Sequence, residues 1–167
     1  MKLFILNSHS FFPSWSYGTG FKMLGNTRLP SESVYHNEMF RVLQRWFGKK
    51  SYQLSTNVRS KDNGQVRLDL MLDDEGTKRK IGLELVASST AEDIKKHAER
   101  PYKSALKLGQ YVVIHFTAQE GEATDVLEHQ GVPIYHVVHN QTFDDVKIHY
   151  RGVGDKKETV QVIPPPK

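Results

Sequence analysis

Residues 65–88, QVRLDLMLDDEGTKRKIGLELVAS, read as two β-strands joined by a charged turn. In the first, Val66, Leu68, Leu70 and Leu72 alternate with Gln65, Arg67, Asp69 and Met71, the period-two pattern of a strand with one apolar face. In the second, Ile81, Leu83, Leu85 and Ala87 alternate with Lys80, Gly82, Glu84 and Val86. If both apolar sets share one core, Asp69 and Glu84 emerge together on the opposite face of the sheet. Two carboxylates on neighbouring strands, framed by leucines, are costly unless they are solvated, paired or holding a cation. That pair is the strongest functional signal in the chain.

Working outward, residues 52–59 form a third candidate strand, joined to the first through an Asn63-Gly64 turn signal. Upstream, 33–47 carries Tyr35, Met39, Val42, Leu43 and Trp46 at helical spacing, with Gly48 as a stop. Glu38 lies beside this buried stripe, where it either serves a site or pairs with Arg41 or Arg45. Downstream, Ser89 and Glu92 have capping-box spacing. They open a basic helix over 91–108 that Pro101 must kink or split. The run YVVIHF at 111–116 fits a buried strand, so the strand, crossover helix and returning strand make a parallel pair. A short helix over 122–129 and strands over 133–138 and 146–150 follow, the last as a sheet edge. The expected architecture is α/β, a mixed central sheet flanked by helices, in the order helix, three-strand meander, helix, strand. Residues 31–152 form this domain, 1–30 an irregular arm, and 153–167 an extended tail.

At 167 residues, 38% hydrophobic and 25% charged, the chain suits one soluble globular domain, and no apolar run approaches the length of a membrane span. The opening MKLFILNSHS has four consecutive apolar residues, too few for a standard secretory core, so an intracellular location is expected. The absence of cysteine excludes disulfides, thiolate metal sites and a thiol nucleophile. A net charge of +4 is compatible with polyanionic partners without requiring them.

A helix bearing Glu38, a strand bearing Asp69 and a strand bearing Glu84, followed by a basic helix and an apolar strand, resembles the PD-(D/E)xK restriction-endonuclease-like superfamily. Within it, SESVYHNEMFRVLQRWF, GQVRLDLMLDD, KIGLELVAS, the helix with His97 and Arg100, and YVVIHF look like the nuclease-like C-terminal domain of Crinkler effectors. The resemblance covers about Ser33 to Tyr150. It implies that Asp69, Glu84 and the Leu85 carbonyl bind magnesium, or manganese in its place, with Glu38 completing the site. It further implies a nucleic-acid partner, DNA ahead of RNA, and, through the Crinkler likeness, action in a host nucleus. One departure stands out: the superfamily's lysine, two residues beyond the Glu, falls at Val86. Arg67, Lys80, Lys95 and Lys96 are the candidate replacements, and His97, Arg100 and Lys103 on the following helix are candidate phosphate contacts.

Three functional readings follow. The first is a metal-dependent endonuclease; the second is a degenerate nuclease fold acting as an effector or interaction module, with homodimer formation as one route. The third is a purely structural pairing of Asp69 with Arg67 or Lys80. The remaining constellations carry less. His136 and His139, three apart on a strand, face opposite ways and cannot clamp one zinc. GFKMLGNT at 20–27 has Asn26 where a phosphate-binding loop needs lysine, and Phe11, Phe12, Trp15 and Tyr17 either stack on bases or, the favoured expectation, pack as a hydrophobic cluster against the body.

Overall fold

The computed structural model describes residues 21–24, 27–47, 52–60, 67–88, 90–141 and 143–163. The aromatic part of the expected arm, the Asn63-Gly64 turn, Gly48, Ser89 and the prolines from 164 onward lie outside these residues. An antiparallel pair of β1 (Phe21–Leu24) and β2 (Thr27–Pro30) opens the described chain, so residues 21–24 and 27–30 are more regular than the expected arm. Helix α1 (Glu32–Phe47) follows and buries Tyr35, Met39, Val42 and Leu43, the stripe set by the 3.6-residue period.

The meander is β3 (Tyr52–Arg59), β4 (Arg67–Asp74) and β5 (Arg79–Val86), each antiparallel to the next. Its continuation is α2 (Ala91–Ala98), the single turn α3 (Tyr102–Ala105) and β6 (Gln110–Thr117), which runs parallel to β5. The expected basic helix is therefore split at Pro101, where a backbone N–H is missing and the ring crowds the preceding turn. Its cap is Thr90, whose hydroxyl accepts the Asp93 N–H at 3.2 Å, one residue beyond the position read from sequence.

The rest of the chain extends the sheet. In place of the expected helix at 122–129, a 3-10 turn (Glu122–Asp125) leads into the two-residue β7 (Glu128–His129). β8 (Val132–His139) lies parallel to β6, and β9 (Val146–Arg151) is antiparallel to β8. The expected tail contains a last strand, β10 (Lys157–Ile163), which pairs with β9 and takes over the edge. The alternation of Thr159, Val160, Gln161 and Val162 carries that strand up to the first proline. The sheet order is β10-β9-β8-β6-β5-β4-β3, a mixed sheet with β7 paired to β8 off this path. Among the described residues no helix is long and apolar enough to cross a membrane.

Two apolar clusters sit on either side of the sheet. Under α1 lie Leu70, Leu72, Leu83, Leu85, Val112 and Ile114, as the alternation of β4 and β5 requires. Under α2 and α3 lie Val86, Ile94, Ala98, Tyr102, Leu108, Tyr111 and Val113, and with them Leu68. Sequence alternation places Leu68 with Leu70; the structure moves it to the other side. Pairing of β3 with β4 runs Thr56↔Leu70 and then Val58↔Leu68, omitting Asn57, which sits in the left-handed region at φ 51°. The strand pair turns at Asn57 and Asp69, and its far end joins the α2 side.

Candidate metal and phosphate site

Asp69 sits at this break and Glu84 faces it from β5. A cavity of about 510 Å³ is lined by Glu32, Arg67, Asp69, Glu84, His97, Arg100, Pro101 and Tyr102. The two carboxylates are thus brought together on the face opposite the α1 core, as the strand alternation requires. β4 and β5 pair as far as Leu70↔Leu83, and beyond that point the Leu85 N–H donates to Asp69 Oδ2 at 2.8 Å. N–H and C=O of one residue point the same way along an extended strand, so the Leu85 carbonyl also faces β4.

Glu84 is 1% exposed, a carboxyl group set among apolar neighbours. Its Oε1 is held by His97 Nδ1 at 2.8 Å and by Arg100 Nη1, and Tyr102 Oη stands 3.4 Å away. Its Oε2 is buried and has no hydrogen-bond partner among the described residues. Burial pushes the Glu84 carboxyl up; the His97 hydrogen bond and Arg100 charge oppose that push, and the neighbouring Asp69 adds to it. Burial works against the Arg100 guanidinium, but the Glu84 charge and the contacts with Tyr102 together outweigh it and its pKa is raised.

Tyr102 ties the walls of the cavity together. Its hydroxyl donates to the Arg67 carbonyl at 2.6 Å and accepts from Arg100 Nη1 at 3.0 Å. Burial and the charge of Glu84 push its pKa up to about 12, so it stays a donor at neutral pH. Tyr111 donates to the His97 carbonyl at 2.7 Å and fixes the end of α2 that delivers His97 and Arg100. From α1, the ring of His36 donates Nε2–H to the Asp69 carbonyl at 3.2 Å.

The expected site residues divide sharply. Asp69, Glu84, Arg67, His97 and Arg100 converge on the cavity; Glu38, Lys80, Lys95, Lys96 and Lys103 do not line it. Glu38 is paired with Arg41 at 2.8 Å, the structural alternative read from sequence. Lys80 lies 3.5 Å from Asp73 at the far end of β5, and Lys96 lies 3.6 Å from Glu92. Lys95 lines a second cavity beside Thr117, Glu120 and Gly121, and Lys103 is exposed on α3. Val86, at the motif-lysine position, is 2% exposed and packed in the cluster with Ile94 and Ala98. Arg67 and Asp69 project from one strand face, but among the described residues no ion pair joins them.

Glu32, Tyr102 and His36 were not singled out by sequence. Glu32 and His36 are four apart in α1 and share one helix face, a spacing that names no partner until the sheet is built. His136 and His139 do face opposite ways: His136 Nδ1 meets His115 Nδ1 at 2.9 Å, while His139 Nε2 accepts from Tyr35 at 2.7 Å. Among the described residues no three His, Asp or Glu side chains are grouped so as to hold a metal ion.

No family model matches the sequence, the Crinkler effector domain included, and no curated protein matches it. A solved structure, that of Pyrococcus furiosus SfsA in complex with Ca2+, is similar over 89% of this chain and 76% of that chain, with 12% identity and a TM-score of 0.41.

Proposed function

We propose that this chain is a nuclease-like domain that binds a phosphodiester in the Asp69–Glu84 cavity and hydrolyses it, DNA ahead of RNA on the superfamily resemblance. The observation that carries the reading is the convergence, at a break in one sheet, of both strand carboxylates with Arg67, Arg100 and His97.

The donors fit magnesium. Glu84 Oε2 is unpartnered, Asp69 Oδ1 takes no hydrogen bond among the described residues, and the Leu85 carbonyl faces the same gap. Magnesium takes hard oxygen ligands and is commonly held by one or two carboxylates completed by water and substrate phosphate. Bound by Asp69, Glu84 and the Leu85 carbonyl, it would polarise the phosphodiester and lower the pKa of an attacking water. The chain's own cations do the rest. Arg67 and Arg100 present planar donor forks that suit phosphate oxygens, and Arg100 supplies the charge that the motif lysine supplies elsewhere. His97 holds Glu84 through Nδ1, which leaves Nε2 to pass a proton to a leaving oxygen.

A second reading is favoured by the same carboxylate. Arg100 and His97 already occupy Glu84 Oε1, so the charge is compensated without a metal, as in a nucleic-acid-binding module that does not cut. Cleavage of plasmid and single-stranded DNA with magnesium or manganese, by wild type and Glu84→Ala with EDTA as control, separates the two. The hydrolytic reading expects metal-dependent nicking that vanishes in the variant. Cleavage unchanged by Glu84→Ala overturns it, and binding without cleavage establishes the module.

A further inference from the structure

The carboxylate that a metal ion would share is already held, through its Oε1, by one of the chain's own cations, and that cation is placed to leave. The Arg100 side chain is 43% exposed while Glu84 beneath it is 2% exposed. Arg100 lies beyond the end of α2, immediately before Pro101, in the short link between two helices. The buried carboxylate is a poor candidate for movement, because removing it from its partners leaves a charge without compensation. The guanidinium has no such constraint, since water or a phosphate can take its donors.

Charge bookkeeping in the cavity points the same way. The lining holds three carboxylates, Glu32, Asp69 and Glu84, against two guanidiniums, Arg67 and Arg100. With Arg100 seated, the acidic charge is nearly cancelled and the cavity holds a monovalent cation of its own. With Arg100 drawn away, three carboxylates face one guanidinium, a charge suited to a divalent ion.

We propose that Arg100 is a latch on the metal seat: its guanidinium, held on Glu84 Oε1, offsets the acidic charge of the seat in the free protein, and a substrate phosphate draws it off, so that divalent cation binding at the open Oε2 side follows nucleic-acid binding. This rests on the nuclease-like reading of the site. His97 keeps its bond to Glu84 throughout and holds the carboxylate in place while the guanidinium exchanges partners. The coupling is reciprocal, so the cation must tighten nucleic-acid binding by the same factor that nucleic acid tightens cation binding.

The test uses Mn2+ as probe, with free Mn2+ read by electron paramagnetic resonance in the presence and absence of a non-cleavable phosphorothioate oligonucleotide. Wild type is expected to bind Mn2+ roughly tenfold more tightly with the oligonucleotide than without it. Arg100→Gln is expected to bind Mn2+ roughly tenfold more tightly than wild type with no oligonucleotide present, and to gain little when it is added. Lys107→Gln removes an equal charge from the exposed end of the same segment and is expected to leave the affinity within about twofold. Equal Mn2+ affinity in wild type and Arg100→Gln overturns the latch. So does a wild-type affinity indifferent to the oligonucleotide, a comparison that stands even if the variant does not fold. If neither protein binds Mn2+ under any condition, the metal-site reading falls with it.

Discussion

Asp69 Oδ2 accepts the Leu85 N–H at 2.8 Å, so a side chain joins β4 to β5 beyond the last paired residues, Leu70 and Leu83. On the other side of β4 the pairing with β3 omits Asn57, opposite the same aspartate. Asp69 therefore stands where both ladders are interrupted, and one carboxylate oxygen serves the fold while the other faces the cavity. A residue in that position has two separable roles.

Asparagine and alanine at Asp69 should separate them. Asparagine keeps an acceptor for the Leu85 N–H and loses the charge; alanine loses both. A hydrogen bond to a charged group contributes about 1.5–3 kcal/mol, so urea unfolding should show that loss in Asp69→Ala and less than half of it in Asp69→Asn. Metal-dependent cleavage should disappear in both. Equal destabilisation by the two substitutions would show that the strand link does not depend on the acceptor.

Restoring the superfamily lysine should harm the protein. Val86 lies in the cluster under α2 with Ile94 and Ala98 and is 2% exposed, so an ammonium placed there is cut off from water. Val86→Lys is expected to cost more than about 2 kcal/mol by denaturant titration, with no gain in cleavage rate. A variant that is stable and faster than wild type would mean that the position opens to the cavity and that Arg100 is not the substituting cation.

The sequence was legible where one period governed a whole element. The α1 stripe, the meander, the buried β6 and the opposition of Asp69 and Glu84 to the α1 core all follow from spacing. Leu68 was misassigned because alternation assumes an uninterrupted strand, whereas β3 and β4 turn at Asn57 and Asp69. β10 was missed because the prolines after residue 163 dominate the reading of a strand whose apolar residues are few. At the site, charge type was readable but partnership was not. Four lysines and arginines had equal claims to replace the motif lysine, and Arg67 alone among them lines the cavity, while Arg100, read as a phosphate contact, sits on Glu84 itself. Such choices depend on where Pro101 breaks the helix and how α2 is rotated, and those are set by packing of Ile94 and Ala98 on the sheet.

Gly82 should prove intolerant of a side chain although it sits in a strand, where glycine is ordinarily a weakness. A β-carbon there would lie 2.5 Å from Leu108 Cδ1 and 2.9 Å from Leu68 Cδ2, both in the cluster that supports the cavity floor. Gly82→Ala must displace two buried leucines, so a loss of about 1–3 kcal/mol is expected, read as a lower unfolding midpoint at unchanged m-value. Gly82→Ala at wild-type stability would mean that the α3 end of the cluster is loosely packed.

Acid should destabilise the fold through His139. Its Nδ1–H donates to the Asn140 carbonyl at 2.8 Å and its Nε2 accepts the Tyr35 hydroxyl at 2.7 Å, so both ring nitrogens are committed in the neutral form. Burial pushes its pKa down to about 4. The unfolded ring takes up a proton near pH 6.5, the folded ring does not until near pH 4, and between them the unfolded chain binds the extra proton. Stability from this group is therefore fully present above pH 6.5 and is lost as pH falls toward the folded value, at up to about 1.4 kcal/mol per pH unit. His136, also held down to about 4 by burial and by its neighbour His115, adds in the same direction. Urea unfolding of wild type and His139→Gln at pH 7, 6 and 5 is the check. The variant is expected to be less stable at pH 7, because it breaks the Tyr35 link between α1 and β8, but to show a shallower decline toward pH 5. A decline as steep as that of wild type would place the acid sensitivity elsewhere.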